Sequence, residues 1–157
     1  MMQAAEIVEA TTTEYLDHVR SLIRDYQSQL PPQYCFPNDE WRNLPGEFAP
    51  PNGALLLATV ADEPAACVGL RPFPLAGACE MKRLYVRPVF RGAKLGEALV
   101  VQIIDLARRR GYSRLRLDTH PETMQAAVRL YGSLGFREIP AEPAPYVKGL
   151  SYMELHL

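Results

Sequence analysis

From Leu84 to Gly96 the chain reads Leu-Tyr-Val-Arg-Pro-Val-Phe-Arg-Gly-Ala-Lys-Leu-Gly. A strand-like run enters a glycine-containing turn, and a helical pattern starts at once. The first turn of a helix presents N–H groups with no acceptor inside the helix, and the peptide dipoles add partial positive charge there. That arrangement holds a diphosphate well. Gly92 and Gly96 keep side chains out of the approach. Arg87, Arg91 and Lys94 add formal charge. A plain strand-to-helix turn with surface basics has the same composition, so the turn alone favours phosphate only weakly. Neither the G-x-x-x-x-G-K-[ST] loop nor the G-x-G-x-x-G fingerprint is present, which sets aside nucleotide hydrolysis and dinucleotide binding.

The elements that must position this turn follow from periodicity. Ala4–Ala10 reads as a strand. Thr11 to Thr13 offers N-cap residues for a helix carrying Tyr15, Leu16, Val19, Leu22, Ile23 and Tyr26 at helical spacing. The proline- and aromatic-rich stretch 31–51 reads as a structured loop with a short helix. Ala54–Val60 and Ala65–Phe73 form a hairpin turned by Asp62-Glu63-Pro64. Glu80–Val86 is a third strand, stopped by Pro88. Lys94–Arg109 is the strongest helix, with Leu95, Ala98, Leu99, Ile103 and Leu106 on one face and Gly111 closing it. Arg114–Asp118 is a further strand. Thr119-His120-Pro121-Glu122 has the form of a capping box, so a helix is expected from there to Gly135. Phe136–Ile139 and Leu150–Leu157 complete the sheet.

Composition narrows the function classes. The 157 residues suit a single domain, 1–157. Hydrophobic residues at 48% and charged residues at 22% give a cored, soluble chain rather than a disordered one. A net charge of -1 offers no basic field, so no nucleic acid is expected as partner. The longest apolar run, Ala54 to Val60, is too short for a bilayer, so no membrane partner is expected. No basic leader precedes the N-terminal strand, which points to a cytoplasmic location. Cys35, Cys67 and Cys79 lack zinc or disulfide spacing and read as buried thiols, with no metal implied.

Two stretches carry a family resemblance. Glu80 to Leu99 resembles motif A of the GNAT superfamily of N-acetyltransferases. Ala127-Val128-Arg129-Leu130-Tyr131-Gly132-Ser133-Leu134-Gly135-Phe136 is similar to its motif B, A-x-x-L-Y-x-x-x-G-F. The order of elements matches that fold along nearly the whole chain. Lys94 stands where the family turn has its first glycine, and Met124 where many members have asparagine. The resemblance implies an α/β (α+β) fold, the GNAT acyl-CoA N-acyltransferase fold, with a mixed, mostly antiparallel central sheet flanked by helices. It implies acetyl-CoA as cosubstrate. It places backbone groups of the Leu84-Tyr85-Val86 strand on the pantetheine arm, as in strand addition. Its pyrophosphate falls to Arg91, Gly92, Ala93, Lys94, Leu95 and Gly96, and the thioester oxygen to the N–H of Val86.

Acyl transfer from a thioester to an amine needs a base for the ammonium proton, a donor for the developing oxyanion and a proton for the leaving thiolate. Glu80 is the candidate base. It lies six residues before Val86, and strict alternation would put both side chains on one face. An ion pair with Lys82 or Arg83 is the competing role. Tyr131 is the candidate acid by the motif B match, with core packing as the competing role. Asp118 and His120 sit at a strand end. Asp118 suits proton removal or a cationic acceptor, and His120 a helix start. Tyr34, Asp39, Glu40, Trp41, Arg71 and Tyr146 lie on segments that wall the acceptor pocket in this superfamily. Among them Tyr34, Glu40 and Arg71, with Asp118, are the acceptor-binding candidates. The expected activity is acetylation of a primary amine on a small or amino-acid-like molecule. A protein lysine or N-terminal acetyltransferase and a non-catalytic acyl-CoA-binding module are the alternatives. A homodimer pairing its final strands, Ser151 to Leu157, is open by analogy.

Overall fold

The computed structural model describes residues 4–32, 36, 40–122, 124–140 and 149–157. Strand β1 (Ala5–Glu9) leads into helix α1 (Thr13–Ser28), which Thr12 caps by accepting the Tyr15 N–H at 3.2 Å. The loop that follows contains a 3-10 turn at Gly46–Phe48. Strands β2 (Ala54–Val60), β3 (Glu63–Pro72) and β4 (Ala78–Val86) then form an antiparallel meander. Helix α2 (Leu95–Arg109), strand β5 (Arg114–Thr119), helix α3 (Gln125–Ser133) and strands β6 (Arg137–Ile139) and β7 (Ser151–His156) complete the chain.

The seven strands form one sheet in the order β1-β2-β3-β4-β5-β7-β6. Among the described strands only β4 and β5 pair in parallel, and the long return through α2 is what permits that. Each face of the sheet carries an apolar layer. On one side Leu95, Leu99, Val100, Ile103 and Leu106 of α2 pack on Met81, Leu115 and Leu117. On the other, Val19, Leu22 and Ile23 of α1 pack on Leu55, Leu57, Cys67 and Phe48. Strand positions therefore alternate between the two layers, and any break in alternation transfers a residue from one to the other.

Two local expectations fail. The hairpin turn is Ala61-Asp62 rather than Asp62-Glu63-Pro64, and both of its residues have positive φ, 51° and 65°. A two-residue turn of that hand matches the twist of the flanking strands. The capping box also does not form. Thr119 is consumed as the last residue of β5, buried and paired with Ser151, and α3 starts only at Gln125. Its cap, Met124, makes no side-chain cap bond.

Cys67 and Cys79 are buried free thiols, and burial pushes both up to about 12. Cys35 lies outside the described residues, as do Tyr34, Asp39 and Tyr146.

Candidate active site

Strands β4 and β5 pair over only three positions, Ala78–Arg114, Cys79–Leu115 and Glu80–Arg116. Beyond Glu80 they part. β4 runs on to Val86, and β5 runs on to Thr119 paired with β7. The result is a fork that leaves the β5-facing edge of the second half of β4 open. The N–H of Arg87 donates to Ala65 O on β3 at 2.9 Å. Strand N–H groups alternate in direction, so that of Val86 faces the opening.

A bulge sets this phase. Lys82 pairs with Gly69 and Tyr85 with Cys67, so three steps along β4 match two along β3. Arg83, inside the bulge, has φ 61°. The extra residue reverses the alternation. Met81 before it and Leu84 and Val86 after it all join the α2 layer, whereas Tyr85 joins the α1 layer. Glu80 and Val86 therefore face opposite sides, contrary to the strict-alternation expectation.

Glu80 sits at the point of the fork, where its Oε1 accepts from Arg71 Nε at 2.6 Å. Arg71 also reaches Glu47 at 2.9 Å. Neither Lys82 nor Arg83 is its partner. The register aligns Arg71, Glu80, Arg116, Glu154 and Arg137 across five strands, an alternating row of charge. Arg116 Nε donates to Glu154 at 2.7 Å. Burial alone would raise the Glu154 carboxyl. The hydrogen bond and charge of Arg116, with a bond to His156, outweigh it and hold that carboxyl below its ordinary range.

One step deeper into the fork, Lys82 Nζ donates to Asp118 Oδ2 at 2.8 Å and bridges the parted strands. Asp118 thus has a cation already in place. Tyr131 of α3 is buried, with its ring 5.7 Å from that of Phe136. Burial first, then the nearby Tyr26 and Asp118, push its phenol well above the ordinary range. Tyr26 of α1 stacks on Tyr85 with centroids 5.0 Å apart. Its own phenol is raised by burial, with Asp118 contributing. Tyr131 belongs to the α2 layer and Tyr26 to the α1 layer, and the charge of Asp118 raises both phenols. The sequence marked Tyr26 only as an inward helical position; nothing local to α1 signals that it faces the fork.

The turn after β4 contains a 3-10 segment, Pro88–Phe90, and then Gly92 at φ 92°. Helix α2 begins at Leu95, and the Ala98 N–H donates back to Lys94 O, on the cap residue, at 3.1 Å. The N–H groups of Leu95, Gly96 and Glu97 are left over by helix geometry. A Cβ at Gly92 would meet no atom within 4 Å, and one at Gly96 only Val86 Cγ2 at 3.7 Å. Open space surrounds both glycines, so the turn leaves room for an anion at the α2 N-terminus. The basic residues divide. Arg87 is committed to Asp25 at 2.7 Å, Ser21 at 2.8 Å and Pro64 O at 3.0 Å, tying α1 to the sheet. Arg91 Nε donates to Val86 O at 3.0 Å across the mouth of the turn. Lys94 is exposed.

Lys94 caps α2 in the left-handed region, φ 60° and ψ 27°. That conformation costs an L residue about 1–2 kcal/mol, and glycine's greater freedom when unfolded returns about 0.5–1 kcal/mol of the relief. Lys94→Gly is therefore expected to raise Tm by about 2 °C in a thermal melt. An unchanged or lower Tm would show that the Lys94 backbone is not strained.

Of the acceptor-wall candidates, Glu40 binds Arg83 through both oxygens, at 2.6 and 2.7 Å. Trp41 lies between Arg24 and Arg42, each guanidinium 4.9 Å from the ring centroid. Arg71 is engaged by Glu80 and Glu47, as above.

A sheet whose one parallel pair parts after three positions, with the end of the longer strand against a helix N-terminus, is the frame of an acyl-coenzyme-A N-acyltransferase. A profile of the acetyltransferase (GNAT) family matches residues 16–136. An uncharacterised N-acetyltransferase of Schizosaccharomyces pombe is 39% identical over 145 residues, covering 90% of this chain and 88% of the relative. The chain belongs to the GNAT acetyltransferase family. Among solved structures, a GNAT-family acetyltransferase of Staphylococcus aureus matches with TM-score 0.78 at 18% identity, over 98% of this chain and 99% of that one. The PaiA N-acetyltransferase of Thermoplasma acidophilum, solved with coenzyme A, matches with TM-score 0.75 at 18% identity, over 99% and 100%. Among the described residues, no helix is long and apolar enough to cross a membrane.

Proposed function

We propose that this chain transfers an acetyl group from acetyl-coenzyme A to a primary amine of a small or amino-acid-like molecule. The observation that carries the reading is the parting of β4 from β5 beyond Glu80, directly beneath the α2 N-terminus. Coenzyme A, when bound, supplies the activated acetyl thioester. The Gly92–Gly96 turn would hold its diphosphate, and the open edge of β4 at Leu84 and Val86 its pantetheine arm. The Val86 N–H faces the gap and donates to the oxygen that gains charge. Tyr131, neutral throughout the working pH range, gives a proton on the leaving side. Glu80, oriented by Arg71, receives the proton of the acceptor ammonium. The carboxylates on this face, Glu40, Glu47, Glu80, Asp118 and Glu154, each have a cationic partner. Charge around the fork is thus nearly balanced, which suits an acceptor of low net charge.

The test is a panel of small amines, amino acids and short peptides incubated with acetyl-coenzyme A, with release of free thiol as the readout. Turnover of at least one small amine above all peptides is expected. Preference for a peptide would move the assignment to protein acetylation. Saturable coenzyme A binding with no thiol release from any acceptor would leave a binding module.

A further inference from the structure

We propose that Glu40 is a positioning residue for coenzyme binding: through its bidentate pair with Arg83 it holds the β4 bulge that turns the Leu84 and Val86 backbone toward the fork. The proposal rests on the reading that the open edge of β4 takes the pantetheine arm. It moves Glu40 from the acceptor side to the coenzyme side.

The bulge needs an external hold. Arg83 at φ 61° occupies a region that costs an L residue about 1–2 kcal/mol, and such strain persists only where surrounding contacts over-determine it. Three contacts converge on Arg83. Its Nε and Nη2 donate to the two oxygens of Glu40. Its guanidinium lies 3.7 Å from the Phe36 ring centroid. Its carbonyl accepts the Cys67 thiol at 3.5 Å. The two charged side chains are only 10% and 13% exposed, so the pair is screened little and its fork geometry is specific. Breaking one partner of such a pair strands the other charge.

The consequence for coenzyme follows from phase. With the bulge, Val86 presents its N–H to the gap and its side chain to Gly96. Were β4 to slip back into plain alternation, Leu84 and Val86 would trade layers with Tyr85, and the N–H of Val86 would turn to β3. The diphosphate turn lies beyond this point and is joined to β4 through the Arg91–Val86 bond rather than through the Arg83 side chain. Loss of Glu40 should therefore damage one half of the coenzyme's contacts and spare the other.

The experiment is titration calorimetry on the full chain with two probes. One is coenzyme A. The other is 3′-phosphoadenosine 5′-diphosphate, which keeps the diphosphate and lacks pantetheine. Glu40→Gln, nearly isosteric, and Arg83→Lys, which keeps the charge but loses the fork, are compared with the parent. Both variants are expected to bind coenzyme A about tenfold more weakly and the fragment within about twofold of the parent. Equal weakening of both probes, or a lowered Tm with coenzyme A affinity unchanged, would assign Glu40 a general structural role and overturn the proposal. Failure of the parent chain to bind coenzyme A would overturn the coenzyme reading itself, a separate result.

Discussion

Tyr131→Phe is expected to lower kcat about a hundredfold while coenzyme A affinity stays within about twofold of the parent. The substitution removes one oxygen and keeps the ring that packs on Phe136, so the fold should not notice it. The phenol keeps its proton under working conditions, as a donor must. Burial raises it most, and Tyr26 and Asp118 add to that. Asp118, whose charge reaches Tyr131, is tied to Lys82 of β4 across the fork at 2.8 Å. The check is steady-state turnover from pH 6 to 9, about the range in which His and α-amino groups titrate. The deficit should be constant across it, since a neutral donor has nothing to titrate there. Unchanged turnover would leave Tyr131 a core residue.

Val86→Pro is expected to cost more, about 10²–10³-fold in kcat. Proline deletes one N–H, fixes φ at about −65° and holds the preceding residue extended, as Tyr85 in β4 already is. The ladder to β3 runs through the neighbouring Arg87 N–H, so the strand keeps its pairing there. Proline is tolerated where a strand N–H faces away from the ladder. Its ring retains apolar volume beside Gly96. A transition-state donor contributes little to ground-state affinity, so KM for acetyl-coenzyme A should move only a few-fold. Coenzyme binding and Tm establish that the variant is folded. If kcat fell by less than about fivefold with binding intact, another donor would have to serve the oxyanion.

How far the sequence could be read varies along the chain. Helix α2 was legible because its apolar positions repeat at helical spacing and Gly111, at φ 89°, ends it. Lys94 was visible as an oddity in the turn, and its left-handed backbone is the conformation a glycine would take without strain. The meander β2-β3-β4 was legible from short apolar runs with turn residues between them. The start of α3 was misplaced because Thr119 satisfies two local patterns, strand end and N-cap. Only pairing with Ser151 decides between them.

The site divides along the same line. Residue types and spacing by themselves determined the order of elements, the glycine turn at a helix start and Tyr131 four residues before Gly135, because these depend on neighbours within a few positions. The tertiary structure decided what depends on distant neighbours. It inserted β7 between β5 and β6, gave Glu80 to Arg71 instead of Lys82, and set Lys82 against Asp118 across the fork. Above all it placed a bulge at Arg83, whose partner Glu40 is 43 positions away. One inserted residue reverses every side chain and N–H beyond it. No periodicity within β4 announces it, because the force that holds it comes from another part of the chain.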